Sequence, residues 1–366
     1  MRIEVMLYVY LFVCVAMIGF NIVTAFCLRA ADRKTKHISR HFRARVSMQL
    51  EALRRGYRVE RSHKQYLSRK LRRIGNMIAF DRMLEEEYID HPEHIRAYLS
   101  ELDSVLVSLT ADYCRRNRME AAYFPYIIKK YRLIAYRPFP SIVGTLLSML
   151  NEPSIYCREN AMQALYTTGD ADCVVRAIRI LDRSPYFFHK KLLCDGMLNF
   201  SGSVRELGEK LREAFWDFSV EMRVTVLDYF RLSSDRYGKF ALSLLRDEKN
   251  DDEIRYACIR ILGKYPLNEA SDLLRRLAAS ETEQKWEYAA IASSALAAYP
   301  GPETVEALKT NLYSPNWYIR LNSAKSLQRL GIPYARLADI IDGKDRYAAE
   351  ILRYCLLTDR EGESSI

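Results

Sequence analysis

The chain has 366 residues, of which 49% are apolar; that is enough for a folded core and excludes wholesale disorder. Its 14 Gly and 11 Pro are few for this length, which argues against a β-rich or collagen-like protein and favours long helices. The formal net charge of +10 invites a nucleic-acid reading, so where the charge sits must be settled first.

Residues 5–28 carry no charge, and their only strongly polar side chains are Asn21 and Thr24. About 20 apolar residues span a bilayer core. Thirteen of these 24 are Leu, Ile, Val or Phe, which outweighs one Asn and one Gly. Arg2, offset by Glu4, makes a poor signal-peptide n-region, and the apolar run is too long for a cleaved leader. An uncleaved anchor is therefore expected. One Lys/Arg precedes the span, whereas Arg29, Arg33, Lys34, Lys36, Arg40, Arg43 and Arg45 follow within 17 residues. That asymmetry predicts a single-pass cell-membrane protein with its C-terminal bulk in the cytoplasm.

Residues 29–75 hold 16 Lys/Arg against three acids, and residues 1–28 hold one of each. This leaves 39 Lys/Arg against 42 acids in residues 76–366. The basic character is thus local. It lies within reach of anionic headgroups, where each cation contributes about 1 kcal/mol. It reads either as a topology signal on a solvated helix face or as a lipid clamp. The clamp would use Arg29, Arg33, Lys34, Lys36, Arg40 and Arg43 on anionic membrane lipid. Nucleic acid is disfavoured, because the tether holds the segment against a negative surface and no base-stacking motif is present.

From 29 to about 73 the pattern is basic-amphipathic without Pro and predicts one or two helices continuing from the anchor. A helix over 76–88 follows, then a break at His91-Pro92. Ile95, Leu99, Leu102, Leu106, Leu109 and Tyr113 step by four and three and predict one helix. Another is predicted over 119–134, and Pro138 and Pro140 end it.

Beyond Pro140 the chain repeats. Ser184-Pro185-Tyr186-Phe187 and Ser314-Pro315-Asn316-Trp317-Tyr318 lie 130 residues apart, four steps of about 32, and Pro153 precedes Pro185 by 32. In each, Ser is expected as an N-cap and Pro in the first helical turn. Arg158, Arg223, Arg255 and Arg320 keep the same step, with Lys190 and Glu287 or Tyr288 in the gaps. Small or apolar residues recur three and seven positions after each Arg. Gly169, Gly263 and Gly331 are expected as left-handed helix caps. Apolar-periodic helices over 141–150, 171–181, 204–214, 237–245, 270–278 and 304–312 alternate with these Arg-bearing helices. Six full helix pairs follow, and a shorter seventh over about 334–357 is suited to a cap. One pair has too little core alone, and stacking supplies a continuous one.

The motif Arg-x-x-small-x-x-x-Leu-x-x-x-Gly resembles HEAT repeats, closest to the short bacterial phycobilisome-lyase-HEAT-like kind. It is carried by Arg158…Ala161…Leu165…Gly169, Arg255…Cys258…Leu262-Gly263 and Arg320…Ala324…Leu327…Gly331. The units at 171–200 and 270–300 depart from it. The layout also resembles membrane-anchored HEAT proteins of Gram-positive bacteria, which accompany membrane glycosyltransferases or other envelope machinery. The implied fold is an all-α chain: a transmembrane anchor (1–28), a basic juxtamembrane segment (29–75), a helical cap region (76–137) and a solenoid of six to seven pairs (138–366). The implied function is a membrane-tethered scaffold for a protein partner, itself membrane-associated.

No catalytic set stands out. His91 and His94 are two ligands, not a site, and His37 and His41 lie in the basic run. Neither a phosphate loop nor G-x-S-x-G occurs, and no two of the eight Cys are spaced C-x-x-C. Cofactor, metal and catalytic residues are accordingly not expected. The Cys read as reduced core side chains. The Arg column reads either as a ladder of hydrogen bonds between neighbouring second helices or as a stripe for acidic partners. In the second reading Arg223, Arg255, Trp286, Tyr288, Trp317 and Arg320 bind the partner, since aromatics with Arg make interface hot spots. Two rival functions follow from the same residues. One is a HEAT-like enzyme, a pigment lyase or a DNA glycosylase, with Trp286, Glu287 and Tyr288 as its pocket. The other is a sensor that responds to anionic lipid through residues 29–75.

Overall fold

The structure, a computed structural model, describes residues 3–90, 92–116, 118–135, 139–280 and 285–362. The chain is all-α. It divides into two compact units, Met1–Cys173 and Val174–Ile366.

In the first unit, α1 (Ile3–Arg54) is one unbroken helix of 52 residues. It is the single described helix long and apolar enough to cross a membrane. From Met6 to Leu28 its large apolar side chains are exposed and meet no protein core. Further on, Ser39, Phe42, Val46, Gln49 and Leu50 are buried. Their spacing is that of one helical stripe, so the same helix that forms the apolar span also enters the unit's core. The expected boundary at 28/29 is thus no break in the backbone, and 75/76 falls inside a helix.

α2 (Arg61–Lys70) touches α1 through Tyr66 and packs on α5 (Asp103–Tyr113), while α3 (Ile74–Asp90) and α4 (Pro92–Ser100) pack on α1. The single helix expected over 95–113 is two. Leu102 stands at the N-cap position of a new helix, and Asp103 opens α5 where an acid complements the dipole. The apolar step runs through this tight turn unchanged, so periodicity alone does not register it. α6 (Arg118–Lys130) ends at Lys130, short of the expected 134, and Arg132 takes a left-handed φ of 51° just beyond it. The proposed boundary at 136–138 lies outside the described residues.

α6 packs along α8 (Ile155–Tyr166), whose partner is α7 (Pro140–Met149). The region before Pro140 therefore behaves as a preceding second helix. A buried carboxylate ties α6 to α3. Asp81 accepts from the hydroxyls of Tyr123 and Tyr131, both at 2.7 Å, and from Lys130 at 2.9 Å. Burial, then this hydrogen bond, pushes both phenols well above their usual range.

The second unit carries α9 (Ala171–Arg183) onward from Val174. Its pairs are α9 with α10 (Lys190–Leu198), α11 (Val204–Glu213) with α12 (Val220–Ser233), and α13 (Gly238–Arg246) with α14 (Asp252–Lys264). Then come α15 (Ser271–Ala279) with α16 (Trp286–Ala295), α17 (Pro302–Asn311) with α18 (Trp317–Arg329), and the short α19 (Ala338–Ile341) with α20 (Arg346–Gly362). The second helices α10, α12, α14, α16, α18 and α20 pack one on the next, as a repeat array requires.

Caps differ from expectation in detail. Gly169 and Gly331 are left-handed, at φ 74° and 66°. Gly263 is not; it lies within α14, where a Cβ would stand 3.0 Å from the Cα and Cβ of Ala295. It is there so that α14 and α16 can approach closely. The Ser-Pro pairs do not open helices either. Asn316 caps α18 by accepting from the Tyr318 amide at 2.9 Å, and His189 caps α10. The Pro lies before the cap, because the turn must first reverse the chain.

Candidate partner surface at the repeat turns

The Arg column lands on the turns inside each pair. Arg320 donates from Nη1 to the carbonyls of Ser314 (2.6 Å) and Pro315 (3.1 Å). Arg158 does the same to Glu152 (2.6 Å) and Pro153 (2.8 Å). Arg223 donates to Trp216 at 3.0 Å, and Arg255 to Leu245 at 3.3 Å. Arg158, Arg223 and Arg320 satisfy carbonyls of the turn beyond the first helix, and Arg255 one in the last turn of α13. The column is therefore neither a ladder between second helices nor a free stripe for acidic partners. Polar side chains of other types make ties between neighbouring second helices. Asn322 donates to Ala290 at 2.7 Å, Ser326 to Ser293 at 2.7 Å and, in the first unit, Asn160 to Ala122 at 3.0 Å.

Two nominated contact residues are removed by burial. Arg255 is 7% exposed and Tyr288 2%. The Tyr288 hydroxyl donates to Asp252 at 2.5 Å, and Arg255 lies 4.9 Å from its ring centre. Burial and then the Asp252 bond push the Tyr288 phenol well up, and burial with the Glu287 charge pushes Tyr256 up to about 12. Trp286 is half-buried and stacks on Tyr318 at 5.5 Å. Trp317, Tyr318 and Arg223 with its neighbour Trp216 remain at the surface.

These groups share one edge of the second unit, because each turn precedes the N-terminus of its second helix and those helices lie side by side. Along it, Arg223 lies 5.1 Å from the Trp216 ring centre. Further on, the edge of Tyr256 meets Tyr288, Trp317 meets Tyr318 edge-on, and Arg320 lies over Tyr347. Phe187 (72%), Trp216 (55%), Trp317 (51%) and Tyr347 (67%) are exposed on it. Phe187, Trp216 and Tyr347 were not singled out from sequence as contacts. The signal available was their position at the same turn of successive units.

A cavity of about 640 Å³ opens on this edge at the α9–α10 turn. After Pro153 and Pro315 the second helix starts two residues on; after Pro185 it starts five residues on, at Lys190. Arg158, Arg223, Arg255 and Arg320 are each the fourth residue of their helix; in α10 that place falls to Leu193, whose side chain has no donor to pin the turn, while Lys190, expected there, is the first residue of the helix. The segment 186–188 therefore leaves the helix as an open turn. The cavity it leaves is floored by Leu193 and walled by Phe187, Val220, Met222 and Thr225. Asp182 fixes the far wall by accepting from the Ser219 amide at 2.9 Å and from its hydroxyl. Glu221 and Glu253 stand exposed on the rim. The site is thus a slot with apolar walls whose lining also carries Asp182, Glu221, Glu253, His189 and Lys190.

The nominated cluster Trp286, Glu287 and Tyr288 lines neither this cavity nor the two others described, at Tyr88–Ala135 and Asp235–Leu267. Among the described residues, no three His, Cys, Asp or Glu side chains gather as a metal site needs. His91 lies outside them, and His94 faces Arg54.

Of the nominated lipid-facing residues, Arg29, Arg33, Lys34 and Arg40 lie along α1 just past the apolar run. Lys36 pairs with Asp32 at 2.9 Å. Arg43, half-exposed, pairs with Glu86 and Glu87 of α3 and so ties α3 to α1. No protein-family model matches the chain, and no curated protein matches it in sequence.

Proposed function

We propose that the chain is a membrane-tethered scaffold of HEAT-like helix pairs whose second unit binds a protein partner. The observation that carries this reading is the turn edge. It presents Phe187, Trp216, Trp317 and Tyr347 beside a slot with apolar walls, rimmed by Glu221 and Glu253 and lined also by Lys190. Exposed aromatics beside a pocket are the anchors from which protein interfaces draw most of their energy. With Asp182, Glu221 and Glu253 against Lys190 in its lining, the slot suits a partner segment with an apolar side chain flanked by basic residues. The apolar half of α1 supports the tether, and the cations after Leu28 support a cytoplasmic bulk. A membrane-bound partner of the envelope machinery fits such a tether. The enzyme reading loses its pocket with the burial of Tyr288.

Cross-linking pull-down from intact membranes tests the proposal. The wild-type chain should return one membrane complex, and Phe187→Ala with Trp317→Ala should lose it while remaining folded in the membrane. Equal recovery by both chains would refute the assignment of this edge.

A further inference from the structure

The first unit bears a second basic cluster that sequence order places far from the membrane and the fold returns to it. α2 runs back along α1. The amide of Glu60 donates to Gln49 at 3.0 Å, Arg45 lies 4.2 Å over the Tyr66 ring, and His41 meets that ring edge-on at 6.4 Å. As α2 advances from 60 to 66, its partners on α1 recede from 49 to 41. α3 then runs forward with α1. Arg82 pairs with Asp32 at 2.5 Å, Glu86 and Glu87 with Arg43, and His94, just past α3, faces Arg54. Its start at Ile74 lies two turns, about 12 Å, nearer the apolar span than Arg82. Arg82 itself already reaches Asp32, four residues past Leu28.

The α2–α3 turn is therefore at the membrane end of the unit. Asn76 closes it by donating to the Lys70 carbonyl at 2.8 Å. Arg72 is taken up by Asp112 at 2.9 Å. Arg69, Lys70 and Arg73 are exposed and have no carboxylate partner among the described residues. The equally basic Arg55, Arg58 and Arg61 sit at the opposite end, about 40 Å along α1 from Leu28. That distance is several Debye lengths.

We propose that the α2–α3 turn is a footing on anionic phospholipid headgroups, formed by Arg69, Lys70 and Arg73 beside Arg29, Arg33 and Lys34 of α1. It rests on the reading of α1 as a membrane span. The tether holds the turn beside a surface of opposite charge, and loss of each contacting cation should weaken that contact about fivefold. The footing fixes the azimuth of the first unit about α1, which a single helix leaves free.

The test uses the full chain in nanodiscs of phosphatidylcholine, alone or mixed with phosphatidylglycerol. A photo-reactive residue replaces Gly75, which is exposed with open space around it, or Arg33 as a reference. Lipid adducts at position 75 should form in the anionic discs. They should fall by at least about threefold in R69Q/K70Q/R73Q and stay unchanged in R55Q/R58Q/R61Q, which removes the same charge. Absence of adducts at 75, or equal losses from the two triple variants, would overturn the footing while adducts at 33 uphold the span. Absence of adducts at 33 would overturn the span and the footing together.

Discussion

The Arg320 guanidinium holds the carbonyl of Ser314 at 2.6 Å, and Arg158 stands in the same relation, six residues on, to Glu152. Two units far apart in sequence thus close their turns with one device. Arg320→Met should cost about 1–3 kcal/mol in chemical denaturation, because it leaves turn carbonyls without their charged donor. Arg320→Lys should recover only part, since an ammonium lacks the planar fork. Wild-type stability in Arg320→Met would mean the turn holds itself.

Stability should depend on pH through His63. Its ring nitrogen Nε2 is 2.7 Å from the Tyr98 hydroxyl in the core of the first unit. Burial, with the Arg45 charge, holds its pKa down to about 4. Below about 6.5 the unfolded chain takes up a proton that the folded chain refuses. Stability is therefore fully present above that pH and falls as pH drops towards 4, by about 3 kcal/mol. Thermal unfolding between pH 7 and 4 should show this decline, and His63→Gln should flatten it. An unchanged slope in that variant would assign the decline to other groups.

Gly263 and Gly331 should fail differently when replaced. Gly263→Ala drives a methyl against Ala295 and should cost about 1–3 kcal/mol, with Ala295→Gly restoring much of the loss. Gly331→Ala strains a left-handed residue, costs about 1–2 kcal/mol, and gains nothing from Ala295→Gly. Denaturation of the four variants separates packing from backbone strain. Rescue of Gly331→Ala by the second change would contradict this division.

The helix pairs were legible because their signal is repetition. The step of about 32 residues, read from Arg158, Arg255 and Arg320, placed the second helices to within a few residues. The same repetition misdirected the reading of the Arg side chains. A column of like residues suggests a shared surface or a ladder, and only three-dimensional distances show each Arg turned back on its own unit's turn. Tyr288 was misplaced for a related reason: an aromatic at the start of a helix is buried or exposed according to its neighbours, here Asp252 and Arg255. The slot at Phe187 was missed because the sequence step put Lys190 in the Arg column, whereas the later start of α10 puts Leu193 there, with no donor to pin the turn. The return of Arg69 to Arg73 towards the span was hidden by the Arg58–Arg61 turn, which periodicity cannot orient.

Phe187→Ala should leave unfolding unchanged within about 0.5 kcal/mol, because its side chain is mostly solvated in the isolated chain. Val220→Asp should likewise fold, yet place a further carboxylate at the slot's apolar wall. Both should weaken capture of a partner. Loss of folding in either would move these residues from surface to core.

Site-specific photo-cross-linking in intact membranes tests the scaffold reading most directly, with the reactive residue at Phe187 or, for comparison, at exposed Arg276 of α15. The account predicts one dominant protein adduct from position 187, lost on Val220→Asp, and none of that mass from position 276. Adducts that are equally diverse at both positions, or that survive Val220→Asp unchanged, would contradict it.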